Sequence, residues 1–196
     1  MVLVDEAGGR EASILRHDGT MKQVYRVGGY VKLAKLWEKK RASAMACHAA
    51  YFEARCRNDD AMQLVDIYVD ITGNKQVYKR PQMIRLLKAC IEGHIDTIVT
   101  PTKAYLAPNT EEFCYLIRFI LDMPRRIDIV TDDDDYRVDT ILNVEDQRES
   151  LYEMASRFIR LKPDVYEHWK EQITKAIDGC QEKCNVGEDR AEPGNG

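Results

Sequence analysis

The chain has 196 residues, 44% of them hydrophobic and 32% charged, with a formal net charge of -4 and a pI near 5.7. That is enough apolar material for a core of its own, and the acidic balance excludes bulk attraction to polyanions, so a nucleic-acid partner would have to meet a local basic patch. No apolar run approaches the length of a membrane span. Met1-Val2-Leu3-Val4-Asp5-Glu6 turns acidic before a signal-like core can form, which predicts a cytoplasmic protein.

Residues 1–22 carry Gly8-Gly9, several charges and no sustained period, and read as a loose leader. A first strand is expected from Val24 to Leu33, ending in Tyr30-Val31-Lys32-Leu33-Ala34. From Ala34 to Arg57 the positions of Leu36, Trp37, Met45, Ala49, Phe52 and Cys56 predict one continuous helix with a single buried stripe. Lys39, Lys40 and Arg41 fall on another side of it, where a solvated face and a phosphate contact both fit. Within that helix Cys47 is expected in the core and His48 at the surface or boundary. Neighbouring helical residues point about 100° apart, so the two do not form a thiol-imidazole pair.

The second strand, Val65-Asp66-Ile67-Tyr68-Val69-Asp70, is followed by Ile71-Thr72-Gly73-Asn74, a turn in which glycine and asparagine tolerate left-handed backbone. Pro81 suits the first turn of a helix that buries Met83, Leu86, Leu87, Cys90 and Ile91 and ends at Gly93. Ile95 to Thr100 makes a third strand. A loop from Pro101 to Pro108 leads to a helix capped by Asn109 or Thr110, with Glu111 and Glu112 in its first turn and Phe113, Leu116, Ile117, Ile120 and Leu121 on its apolar side.

Ile127-Asp128-Ile129-Val130 is a fourth strand, and Asp132 to Asp135 a solvated acidic loop. Val144 to Leu161 forms a helix with Leu151, Met154, Ala155, Phe158 and Ile159 on one side. After Pro163, Asp164 and Glu167 resemble a capping box opening a last helix, with Val165, Trp169, Ile173, Ala176 and Ile177 facing one way and Gly179 as its end. The rest, to Gly196, is polar and reads as a disordered tail.

Strands alternating with long helices predict an α/β fold: three layers, a mostly parallel central sheet of about four to five strands flanked by helices, and a C-terminal helical extension. The expected divisions are 1–22, leader; 23–161, the α/β unit; 162–180, the last helix; and 181–196, the tail. In such sheets ligands sit at the carboxyl ends of the strands. No Gly-rich phosphate fingerprint follows the first strand, because Gly28-Gly29 precedes Tyr30. The six cysteines, Cys47, Cys56, Cys90, Cys114, Cys180 and Cys184, read as free thiols, and Cys180-x-x-x-Cys184 lacks further ligands for zinc, so no metal or cofactor is expected.

Taken in order, residues 25–160 resemble the catalytic domain of serine recombinases, the resolvase and invertase family. The resemblance lies in Tyr30-Val31-Lys32-Leu33-Ala34, Val65 to Asp70 with Thr72-Gly73, Lys79-Arg80-Pro81-Gln82-Met83-Ile84-Arg85-Leu86-Leu87, Gly93-His94-Ile95-Asp96-Thr97-Ile98-Val99 and Asp139-Thr140. It implies a resolvase-like fold and a chemistry in which a serine hydroxyl attacks a DNA phosphodiester, arginines stabilise the phosphate charge, and a tetramer exchanges strands.

The departures are as informative as the matches. Where the resemblance places the nucleophilic serine and the strand-one arginine, this chain has Ala34 and Lys32. Ala104, Tyr105 and Pro108 stand where the third-strand loop would offer an aspartate-arginine pair and a further arginine, and His48 replaces a glutamine. Tyr30, Asp70 and Arg80 survive. Loss of a nucleophile costs on the order of 10⁶ in rate, so the pocket of Tyr30, Lys32, Ala34, Asp70, Arg80 and Tyr105 is expected to be catalytically silent. Thr100, Thr102 and Tyr105 lack an evident activating base.

The leading expectation is therefore a degenerate recombinase-like domain, not an enzyme, that touches duplex DNA through Lys32, Lys39, Lys40, Arg41 and Arg80 or associates with other chains. The partners expected are a second copy or an intact recombinase, since the family helix matching Val144 to Leu161 builds a dimer, although its apolar stripe fits docking on its own sheet equally well. An active recombinase with a rearranged site, or a protein-interaction or small-molecule-binding module on the same scaffold, are the alternatives.

Overall fold

The structure, a computed structural model, describes residues 13–15, 21–132 and 145–185. Gly8-Gly9, Asp133 to Asp135, Asp139-Thr140 and residues 186–196 lie outside the described residues. Two short strands, β1 (Ser13–Leu15) and β2 (Met21–Gln23), pair antiparallel within the stretch read as a leader. The central sheet is built from β3 (Tyr25–Leu33), β4 (Met62–Ile71), β5 (Thr97–Thr100) and β6 (Asp128–Thr131), all parallel, in the order β4-β3-β5-β6. This is the α/β, three-layer architecture expected from the alternation of strands and helices.

Each face of the sheet has its own core. On one, Val27, Val31 and Leu33 of β3 meet Phe52 and Cys56 of α1 (Arg41–Arg57), joined by Val69, Val99 and Val130. On the other, Tyr30, Tyr68, Ile98 and Ile129 meet α2 (Pro81–Ile91), α4 (Thr110–Leu121) and the last helix, α6 (Pro163–Asn185). The glycine pair inside β3 sets how closely the layers approach. A Cβ at Gly28 would stand 2.7 Å from Leu86 Cδ1 of α2, and one at Gly29 2.8 Å from the Phe52 ring of α1. Successive strand residues point to opposite faces, so the two glycines serve opposite layers.

The segment read as one helix from Ala34 is two. A 3-10 helix, Lys35–Lys40, precedes α1, and Lys40 (φ -121°, ψ 25°) marks the break. Three residues per turn against 3.6 throws the first half out of phase with the second. Leu36 is consequently 74% and Trp37 41% exposed, Met45 is exposed too, and only Ala44, Phe52 and Cys56 are buried. The exposed position of Cys47 corrects its expected place in the core, and His48 is half-buried as expected.

Gly73 does not adopt positive φ, and among the described glycines only Gly93 does (φ 75°), where it ends α2. Met83, Leu86, Leu87 and Cys90 of that helix are buried, but Ile91 is exposed, its side facing away from the sheet. The loop after β5 contains a single helical turn, α3 (Lys103–Leu106), which Thr102 caps by accepting a hydrogen bond from the Ala104 amide. Asn109 caps α4 as the sequence suggested, accepting from the Glu112 amide at 2.9 Å.

α5 (Glu145–Arg160) lays Ala155, with the half-buried Leu151, Phe158 and Ile159, against the core formed with α4 and α6. Its Met154 stays 40% exposed. Helix α6 starts at Pro163, so Asp164 lies in its first turn rather than ahead of it, and Val165 is exposed while Tyr166 is buried. Gly179 does not end α6; the helix runs through it to Asn185. Gly179 keeps helical backbone instead of the positive φ of a glycine helix end, and it faces open space, with nothing within 4 Å of a Cβ placed there.

Candidate functional site

From β3 the chain crosses outward to β4, whereas from β5 it crosses to β6 in the opposite direction. A crevice opens at such a reversal, outside the carboxyl ends of the strands on either side of it. Ala34 and Thr100 to Thr102 stand at those ends, so topology alone brings the sequence candidates to one sheet edge.

Beneath that edge lies a polar cluster. The Tyr30 hydroxyl, fully buried, donates to Asp70 Oδ2 at 3.1 Å. Asp70 also accepts the amides of Gln82 and Met83 at 3.0 and 2.9 Å, capping α2 from the neighbouring strand and placing its charge at the positive end of that helix. Burial raises the Asp70 carboxyl above its ordinary value, with these two amides, the tyrosine and the Arg80 charge opposing. Burial and then the Asp70 charge push the Tyr30 phenol far upward, so it stays a hydrogen-bond donor throughout the working range of pH.

Arg80 is 1% exposed. Its Nη1 donates to the carbonyls of Tyr105 (2.9 Å) and Leu106 (2.8 Å) and its Nη2 to that of Lys75 (3.0 Å), while Nε is buried without a partner. The guanidinium thus braces the loops after β4 and β5, and this arrangement withholds it from a phosphate at the surface. Lys32, in register with Asp70, is half-buried. Burial and the Arg80 charge lower its ammonium below the ordinary value, and Asp70 partly offsets them.

Ala34 is exposed at the start of the first 3-10 helix, with extended backbone (φ -67°, ψ 149°) and no side-chain cap. Tyr105 is half-buried and packs against both cores, Ala104 and Pro108 are exposed, and Thr100 is fully buried. The Thr100 hydroxyl donates to the Thr102 carbonyl at 3.4 Å. Tyr30, Asp70 and Arg80 are therefore brought together as a buried network, with Lys32 and Tyr105 at its margin and Ala34 above it.

Lys39 and Lys40 are exposed on the 3-10 helix that follows Ala34. Arg41 is not equally available. Its Nε and Nη2 form a bidentate pair with Glu38 at 2.9 and 3.0 Å. Lys35 also lies in the field of Glu38, so the positive charge this ridge presents outward is chiefly that of Lys39 and Lys40. Behind it, Leu33, Trp37, Ser43, Ala44, Cys47 and His48 line a pocket of about 280 Å³. Sequence reasoning missed this feature because it assigned Leu36 and Trp37 to the core; the available signal was a Leu-Trp pair enclosed by Lys35, Lys39 and Lys40. Burial lowers the His48 imidazole below its usual value.

Among the described residues no cluster of histidine, cysteine or carboxylate side chains could hold a metal ion, and no helix is long and apolar enough to cross a membrane. No family model and no curated protein sequence matches the chain. Among solved structures it is similar to the N-terminal catalytic domain of TP901-1 integrase, with a TM-score of 0.47 and 14% identity over 71% of this chain and 98% of that one. It is also similar to a resolvase family site-specific recombinase from Streptococcus pneumoniae, with a TM-score of 0.49 and 12% identity over 82% of this chain and 99% of that one.

Proposed function

We propose that the chain is a serine-recombinase-like domain that engages DNA without cutting it. The observation carrying this reading is the methyl group of Ala34 at the carboxyl end of β3, exposed at the topological crevice, where the strand motifs call for a serine. Covalent catalysis needs an oxygen or sulfur that can attack phosphorus and a base to activate it; a methyl group supplies neither. Further support comes from the neighbours. Thr100 is buried, Thr102 is occupied as a helix cap, and Arg80 is committed to three carbonyls. Lys32 offers a single point charge in place of a planar, bidentate donor. The exposed lysines beside Ala34 provide the sequence-independent attraction for the phosphate backbone.

The test is incubation with supercoiled DNA, followed by gel analysis of topology and of covalent protein-DNA adducts under denaturing conditions. Neither nicks nor adducts are expected from the native protein or from Ala34→Ser. That variant should instead gain up to about 1 kcal/mol of stability, because a serine at the start of the 3-10 helix can cap it. An adduct from either protein would sink the proposal.

A further inference from the structure

The pocket behind the lysine ridge has a chemistry of its own. Its walls are mainly apolar, from Leu33, Trp37, Ala44 and Cys47, and its polar side chains are the Ser43 hydroxyl and the half-buried His48 imidazole. No lysine or arginine lines it, so it does not suit a free phosphate, and Ser43 and His48 are the lining residues able to hydrogen-bond a polar edge. At about 280 Å³ it lies at the small end of ligand sites and suits a single ring system. Lys35, Lys39 and Lys40 are exposed on the very helix that contributes Trp37. An apolar slot with an aromatic wall, two lining residues able to hydrogen-bond at its margin and cations outside matches a planar heterocycle joined to a phosphate chain.

We infer that this pocket receives an unpaired nucleobase, stacked on Trp37 with its edge toward Ser43 and His48, while Lys39 and Lys40 hold the adjoining phosphates. The inference rests on the proposed contact with DNA and makes it specific. A base inside a duplex has both faces stacked and its pairing edge engaged, so the pocket selects a single-stranded or bulged nucleotide. Leu36 projects outward from the same helix, as a residue meeting a lipid surface would, but Trp37 lines the recess, and vesicles therefore form one arm of the test.

The two tryptophans make the inference readable. Trp169 is 3% exposed inside the core, so fluorescence quenching by an added ligand reports Trp37. The full chain is titrated at low salt with a single-stranded oligonucleotide, its paired duplex, the same duplex carrying a one-nucleotide bulge, and anionic phosphatidylserine vesicles. Quenching is expected with the single strand and the bulge and not with the paired duplex. Trp37→Ala should weaken binding of the single strand about ten-fold or more, Trp37→Phe should retain most of it, and circular dichroism should show both variants folded. Equal binding of all nucleic acids without quenching would overturn the pocket and leave DNA contact standing. No binding of any nucleic acid would overturn both, and quenching by vesicles alone would reassign the patch to a lipid surface.

Discussion

At Arg80 a permanent positive charge lies beneath the surface, and backbone carbonyls at 2.8, 2.9 and 3.0 Å replace the water it gave up. Asp70 has a parallel task with the opposite sign, holding two amides of α2 and the Tyr30 hydroxyl. Replacing Asp70 by alanine leaves those donors and the nearby guanidinium without their anion and should cost about 3 kcal/mol in urea denaturation at neutral pH. The pH dependence has a definite sign. Because burial raises the folded-state carboxyl, the folded protein holds this proton to higher pH than the unfolded chain does. The stability of the native protein relative to Asp70→Asn should therefore rise as pH falls through the raised value, and level off below the ordinary aspartate range. A gap that narrows on acidification would show that the amides and Arg80, rather than desolvation, dominate at Asp70.

Helix α6 shows how an element acquires a role that its own pattern hides. Its Trp169 Nε1 donates at 3.0 Å to Glu112 Oε2, which also accepts the Val77 amide at 2.9 Å, so one buried carboxylate ties α6 and the second 3-10 helix (Val77–Lys79) to α4. In sequence, Glu112 reads only as an acidic residue favourable to a helix start. Tyr115, Tyr166 and Trp169 then gather into an aromatic cluster with centroids 5.4 to 6.3 Å apart, which makes α6 part of the core. The end of this helix is testable. With Gly179 at an exposed position inside a continuous helix and nothing near its missing Cβ, Gly179→Ala should stabilise by about 0.5–1 kcal/mol in thermal unfolding. A loss of stability would mean that the residue takes the left-handed conformation of a helix end.

Over the whole molecule, a net charge of -4 coexists with a basic ridge in front of a recess, so binding to nucleic acid should be local, oriented and sensitive to salt. Affinity for DNA should fall steeply with salt concentration. Lys39→Gln with Lys40→Gln should flatten the log-log slope by about 2, near one unit for each phosphate no longer neutralised, whereas Glu38→Gln should strengthen binding by releasing Arg41. A slope unchanged in the double variant would place the phosphate-binding cations elsewhere. The strand pattern was legible throughout the sheet: alternation of apolar runs with helix periods and the caps at Pro81, Gly93 and Asn109 are local properties, set by backbone sterics and hydrogen bonding within a few residues. The alanine at position 34 is equally a matter of sequence alone. Tertiary structure decided what each charge and aromatic faces: that Arg80 turns inward, that Arg41 is claimed by Glu38, that Trp37 leaves the core for a pocket, and that Glu112 joins three elements. Periodicity reports which side of an element is apolar, but burial and electrostatic partners depend on segments far apart in the chain, and only their packing brings those segments together.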